Sequence, residues 1–143
     1  MLQTFTSVTD EIVRLLKDDP VRPEIPAERR LNANSRIYVL KEGEQTQAVT
    51  CVKFLNTIPA AVEDLVDSVE SATTAVFYTI WSYVSGAGRD LIVEAQRSIE
   101  AELPNIKTFV TLSPKTEMAR RFHLKNGAGV YRENPDTINY IYK

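Results

Sequence analysis

The sequence predicts a single α/β domain of the α+β kind, built on one central mixed sheet with flanking helices. Three observations predict it. At 143 residues the chain falls within the span of one domain. Alternating, β-branched stretches are interleaved with stretches of helical apolar spacing. Their order reads helix, β-hairpin, helix, then β-α-β-α-β-β, with no repeats or low-complexity segments.

Ser7 to Lys17 places Val8, Ile12, Leu15 and Leu16 on one helical face, with Ser7 or Thr9 as the cap. Asp18-Asp19-Pro20 stops that helix, and Pro20, Pro23 and Pro26 make 18–30 a connector. Arg36–Leu40 and Ala48–Leu55 predict a hairpin whose loop, around Glu42-Gly43-Glu44, is longer than the tight two-residue kind. Val62, Leu65, Val66 and Val69 predict a helix over 59–69, and Ala72–Trp81 a strand buried on both faces. Ser85-Gly86-Ala87-Gly88-Arg89 leads into a helix over 90–103, with Leu91, Ile92, Ala95, Ile99 and Leu103 inward. Pro104-Asn105 breaks it, and Ile106–Leu112 is a short apolar strand. A third helix opens at Ser113-Pro114, with Met118, Ala119 and Phe122 on its apolar side, and ends at Asn126-Gly127. Val130-Tyr131 and Ile138–Tyr142 close the chain as strands.

Composition narrows the function. Asp and Glu number 19 against 17 Lys and Arg, for a net charge of −2, with 25% charged and 43% hydrophobic residues. Those values exclude a disordered tail, a coiled coil and a collagen-like chain, and they argue against nucleic acid as a partner. A single cysteine excludes an internal disulfide, and one cysteine with one histidine gives no basis for a metal site. The amino terminus lacks the basic and apolar regions of a secretory signal, and the apolar run at Ala75–Trp81 is far shorter than a membrane span. The expectation is a soluble, cytoplasmic domain without a membrane partner.

Two places could carry chemistry. In the strand–glycine loop–helix unit at Phe77–Leu91, glycines let a ligand approach the backbone, and free N–H groups at a helix start attract phosphate oxygens. Arg89 could add a charge-assisted contact. A tight turn needing two glycines explains the same residues. The loop is not a Walker sequence, and Leu91 stands where a Rossmann motif needs its third glycine. The second place is His123, the only histidine, suited to proton transfer near neutral pH but equally readable as a partly exposed residue near a helix end. Ser113 before Pro114 reads as an N-cap. Cys51 reads as core, Arg120-Arg121 as a solvated helix face, and Trp81 and the tyrosines as core or strand-face residues.

The order of elements, with a glycine loop after an apolar strand and a parallel strand feeding a helix, resembles the GNAT acetyltransferase fold. In that fold the loop and helix start bind the coenzyme A pyrophosphate, and pantetheine lies between two splayed strands. Residues 31–143 resemble more specifically the catalytic domain of malonyl-CoA decarboxylase, with 1–30 as an added helix and connector. The similar stretches are Ala48–Val52 running to Ile58-Pro59, Ala75–Ile80, Glu102-Leu103-Pro104, Thr111–Pro114, Phe122–Ala128 and Asn139–Tyr142. The resemblance implies that Ser113 and His123 are the catalytic pair and that Ser85, Gly86, Ala87, Gly88 and Arg89 bind coenzyme A. It implies a coenzyme A thioester, acetyl-CoA or malonyl-CoA, as substrate and small-molecule partner, with no metal.

Three departures from the decarboxylases matter. The decarboxylases carry a helical amino-terminal domain and a helical insertion between the serine and the histidine, and neither is expected here. The loop after Ile80 is about two residues shorter, and Tyr83 replaces the Gln or Arg that leads the acetyltransferase pattern. Ser113 and His123 are ten residues apart, about 15 Å along one straight helix, so they share a site only if Ser113 ends a strand and the helix folds back. An N-acetyltransferase with an amine acceptor, whose base could be Glu117, Glu133 or Asp136, and a non-catalytic acyl-CoA-binding module are the alternatives. A homodimer stays open.

Overall fold

The alternating segments become a long hairpin in the computed structural model, which describes residues 1–143: β2 (Ser35–Glu42) and β3 (Gln45–Leu55). Their turn is tighter than the sequence suggests. Glu42 pairs with Gln45, so only Gly43 and Glu44 lie between, and Gly43 takes φ +61°, a conformation open to glycine. A strand absent from the sequence reading, β1 (Leu2–Phe5), adds antiparallel to β2. Helix α1 (Asp10–Leu16) follows, capped by the Thr9 hydroxyl, which accepts from the Ile12 amide at 3.2 Å. Its apolar face is narrower than the spacing implied, since Val8 lies outside the helix and is exposed. The connector holds one short helix, α2 (Ala27–Arg30).

Beyond the hairpin, β4 (Thr74–Ser82), α3 (Ala87–Glu102) and β5 (Thr108–Thr111) form the one parallel unit, and β6 (Ser113–Pro114), α4 (Glu117–Lys125), β7 (Gly129–Glu133) and β8 (Thr137–Tyr142) complete the chain. The sheet order is β1-β2-β3-β4-β5-β8-β6, with β7 also on β8. Successive strand residues point to opposite faces, which gives the sheet two cores. On one face Leu91, Ile92, Ala95 and Ile99 of α3 pack against Tyr38, Phe54, Phe77 and Phe109. Each of the buried Leu and Ile side chains contributes about 1.5–3 kcal/mol. On the other face Ile12, Ile25 and Leu31 cover Ile37, Cys51, Tyr78 and Leu112.

Two expected helices change. Over 59–69 there is only a 3₁₀ turn, Val62–Asp64, because side chains satisfy the backbone first: Asp64 Oδ2 accepts from the amides of Ala60 and Ala61 at 3.0 and 3.2 Å. Asp67 is fixed from outside the segment by Lys53 at 2.9 Å and Asn32 at 3.0 Å. The third helix starts at Glu117, not at Ser113-Pro114. Those two residues pair with Ile138 and Thr137 on β8, and Thr116 is the cap, its hydroxyl accepting from the Ala119 amide at 3.1 Å. This changes what α4 buries. Met118, expected inward, is 82% exposed, and His123, expected at a partly exposed edge, is 4% exposed. No helix is long and apolar enough to cross a membrane.

Candidate active site

The site begins where two parallel strands part. β4 and β5 pair through Thr74↔Thr108 to Phe77↔Thr111, and a last bond runs from the Leu112 amide to the Phe77 carbonyl at 3.1 Å. β4 then continues to Ser82, while the chain after β5 turns away to pair with β8. A bulge helps β4 diverge. Cys51 faces Thr79 and Val52 faces Phe77, which leaves Tyr78 as an extra residue. The result is an open wedge between strands, of the kind expected from the resemblance.

At its end stands a chain of hydrogen bonds. Ser113 Oγ lies 3.2 Å from His123 Nε2, and His123 Nδ1 lies 2.7 Å from the Tyr142 hydroxyl. Ser113 Oγ also donates to Thr111 Oγ1 at 2.8 Å, which accepts from the Tyr140 amide at 3.1 Å. The ten-residue gap closes because Ser113 ends a strand. The chain turns through a bond from the Thr116 amide to the Pro114 carbonyl at 2.9 Å, and α4 returns across the sheet. The structure therefore brings Ser113 and His123 together, and the N-cap reading of Ser113 is replaced by Thr116.

Proton positions follow from the partners. The Tyr142 O–H has no acceptor other than Nδ1, so it donates there, and a neutral ring then carries its proton on Nε2, facing Ser113. The Ser113 proton goes to Thr111. Every member of the chain is buried, and three aromatic rings pack on the imidazole: Tyr140 stacks on it at 4.9 Å, and Phe122 and Tyr142 meet it edge-on at 5.1 and 5.8 Å. No carboxylate compensates the charge, so burial alone pulls the His123 pKa down to about 4. Burial likewise pushes the Tyr142 hydroxyl well above its ordinary range. The imidazole is neutral at physiological pH.

The glycine loop lies at the other end of the wedge. Gly86 takes φ +84° and caps α3, and the first-turn amides of Gly88 and Arg89 have no backbone acceptor. Ser85 and Gly86 are exposed, Ala87 and Gly88 buried, and the Arg89 side chain is in solvent. The two glycines do different work. A side chain on Gly86 would meet nothing within 4 Å, so its requirement is conformational, whereas a Cβ on Gly88 would meet the Phe122 ring at 3.1 Å. Gly88 thus lets α3 approach α4, and its replacement would disturb the helix that carries His123.

Other candidates fall elsewhere. Glu117, Glu133 and Asp136 are exposed, Cys51 is fully buried in the core, and burial pushes its thiol up to about 11. A cavity of about 580 Å³ lies between the 55–69 segment and Arg132 and includes no member of the hydrogen-bonded chain. No group of three His, Cys, Asp or Glu side chains converges as a metal site. Tyr142, Tyr140 and Thr111 were invisible as site residues, although the i, i+2 spacing of Tyr140 and Tyr142 already placed both on one strand face.

A parallel wedge, a glycine-capped crossover helix and a returning helix define the GNAT fold, and solved structures agree. The chain is similar to a malonyl-CoA decarboxylase from Agrobacterium vitis, with a TM-score of 0.82 and 22% identity over 100% of this chain and 60% of that one. It is also similar to a Bacillus subtilis acetyltransferase in complex with CoA (TM-score 0.68, 12% identity, covering 99% and 97%) and to Arabidopsis thaliana NAA60 in complex with acetyl-CoA (0.65, 15%, 99% and 99%). The chain spans about 60% of the length of the decarboxylase chain. No protein-family model and no curated protein sequence matches it. The chain has the GNAT fold, in a form like that of the decarboxylase's corresponding part.

Proposed function

We propose that residues 1–143 form one acyl-CoA domain that decarboxylates a malonyl-CoA-like thioester. The observation that supports this reading is the buried, uncharged chain Ser113–His123–Tyr142 at the end of the wedge. Coenzyme A would lie along β4 with its pyrophosphate on the amides of 85–89, where the first-turn amides of α3 lack backbone acceptors, and two similar structures hold CoA or acetyl-CoA. Loss of carbon dioxide breaks the bond between the carboxylate and Cα and leaves its electron pair as a thioester enolate. The Ser113 hydroxyl, released from Thr111, donates to the enolate oxygen. His123 delivers its Nε2 proton to Cα as the carbonyl re-forms, and the Tyr142 O–H supplies Nδ1, so the imidazole never carries a full negative charge. Solvent then returns one proton to the chain.

N-acetyl transfer asks for the opposite chemistry. An imidazole whose conjugate acid has a pKa near 4 is a poor base for an ammonium group, and the exposed Glu117, Glu133 and Asp136 do not join it. Product analysis tests the reading. Malonyl-CoA without any acceptor should yield equal amounts of carbon dioxide and acetyl-CoA. His123→Gln should lower turnover at least about 100-fold while keeping coenzyme A affinity. Thiol release from acetyl-CoA only when an amine is present would make the protein a transferase, and binding without either product would make it an acyl-CoA-binding module.

A further inference from the structure

We propose that Arg22 is the residue that selects thioesters whose acyl group ends in a free carboxylate, an inference that rests on the coenzyme A reading above. The connector between α1 and α2 closes one side of the wedge with one residue on each splayed strand. Asp19 Oδ1 accepts from the Thr79 hydroxyl of β4 at 2.7 Å, and Arg22 Nη2 donates to the Leu112 carbonyl, just past β5, at 3.2 Å. The Leu112 amide is still bonded to Phe77 on β4. In extended chain the N–H and C=O of one residue point the same way, so that carbonyl faces the wedge and brings the guanidinium to its mouth. Leu112 is also the residue before Ser113. An acyl group seated against Ser113 therefore lies one residue from the carbonyl that holds the Arg22 guanidinium.

Arg22 is unspent in the folded chain. Its neighbour Asp19 belongs to Arg30, which holds Oδ2 at 2.7 Å, while Oδ1 is occupied by Thr79 and the amides of Val21 and Arg22. No carboxylate lies within 4.0 Å of the Arg22 guanidinium, and its Nε–H is buried without an acceptor. Glu24 and Asp19 act on it only through space. A half-buried guanidinium with one carbonyl contact lacks the charged partner it is built to hold, and a carboxylate is the group that matches its fork. A free amine would be repelled from the same place. Holding the carboxylate stabilises bound substrate as much as it orients the breaking bond, so the effect of Arg22 falls on binding more than on the chemical step.

Two stable thioethers separate this inference from the reading beneath it. S-(2-carboxyethyl)-coenzyme A has the length and charge of the malonyl thioester, S-propyl-coenzyme A has the length without the charge, and neither can react. By titration calorimetry the native protein should bind the carboxylate thioether at least about tenfold more tightly. Arg22→Gln should remove that preference and leave S-propyl binding unchanged, and Arg22→Lys should restore part of it. With malonyl-CoA as substrate, Arg22→Gln should raise KM more than it lowers kcat. Equal affinity of the native protein for the two thioethers, or a preference that survives in a folded Arg22→Gln, overturns the inference while the coenzyme A site stands. Binding of neither thioether overturns both.

Discussion

The two faces of the sheet solve the same problem at the parting strands in opposite ways. Both bury polar side chains there. On the connector face the central groups are charged and paired with each other: Arg30, with no exposure, bonds Asp19 at 2.7 Å and the Ile25 carbonyl at 2.8 Å, and touches Cys51 Sγ at 3.5 Å. Burial alone would raise the Asp19 pKa, but the amides of Arg22 and Val21, together with Arg30 and Thr79, outweigh it and hold the carboxyl low. On the helix face Ser113, His123 and Tyr142 are neutral and joined by single hydrogen bonds. A charged pair in a low dielectric is fixed, since neither partner can lose its charge without stranding the other. A neutral hydrogen-bonded chain has no permanent counter-charge to strand when a proton moves along it. One face holds the connector in register, and the other is free for proton transfer.

The largest expected effect breaks the charged face. Arg30→Met strands a buried Asp19 carboxylate and should cost about 3–5 kcal/mol in denaturant unfolding, whereas Arg30→Met combined with Asp19→Leu should recover most of it. Equal losses in the single and double variants would show that packing, not charge pairing, dominates there.

Acid sharpens the contrast, because the two faces respond in different pH windows. The unfolded chain takes up a proton on histidine near pH 6.5, whereas the folded chain resists until about pH 4. Protons therefore favour the unfolded state in that interval. Stability is full above pH 6.5, falls as pH is lowered through it, and levels off near pH 4. At about 1.4 kcal/mol per pH unit the loss comes to about 3 kcal/mol. Asp19, held below its ordinary 3.8, contributes stability that persists down to that pH and is lost only below it. A His123→Phe variant should lose the first step and keep the second in acid unfolding followed by circular dichroism.

Much of this arrangement was legible in the residues and some was not, for physical reasons. The apolar runs at Thr74–Ser82 and Thr108–Thr111 and the glycine loop between them give the parallel unit directly, since local periodicity and turn chemistry agree. The resemblance singled out Ser113 and His123, but their contact depends on Ser113 joining β8 at Ile138, 25 positions further on, a pairing that no local spacing encodes. The far end of β8 brings in Tyr142, through its pairing with Phe109 of β5. The failed helix at 59–69 shows the reverse, a strong local pattern overruled when Asp64 and Asp67 satisfy backbone and distant side chains instead. The connector's charged pair also escaped notice, because Asp19 and Arg30 lie in a proline-rich stretch that reads only as a linker.

The smallest expected effect separates two hydroxyls near the start of α4. The sequence reading opens α4 at Ser113-Pro114, and only one residue can cap it. Thr116 does, through its bond to the Ala119 amide, while Ser113 spends its hydroxyl on Thr111 and His123. Thr116→Ala should cost about 1 kcal/mol of stability, the usual value of a lost cap. Its turnover should stay near native, because Thr116 touches neither the imidazole nor the wedge. Ser113→Ala keeps that cap but strands the buried His123 Nε2–H, so turnover, not stability, separates the two variants. Carbon dioxide release should fall, because the enolate oxygen loses its donor. Measured side by side by thermal melts and product assay, a stability loss in Ser113→Ala with unchanged turnover would return that serine to a purely structural role and leave the proton chain to His123 and Tyr142.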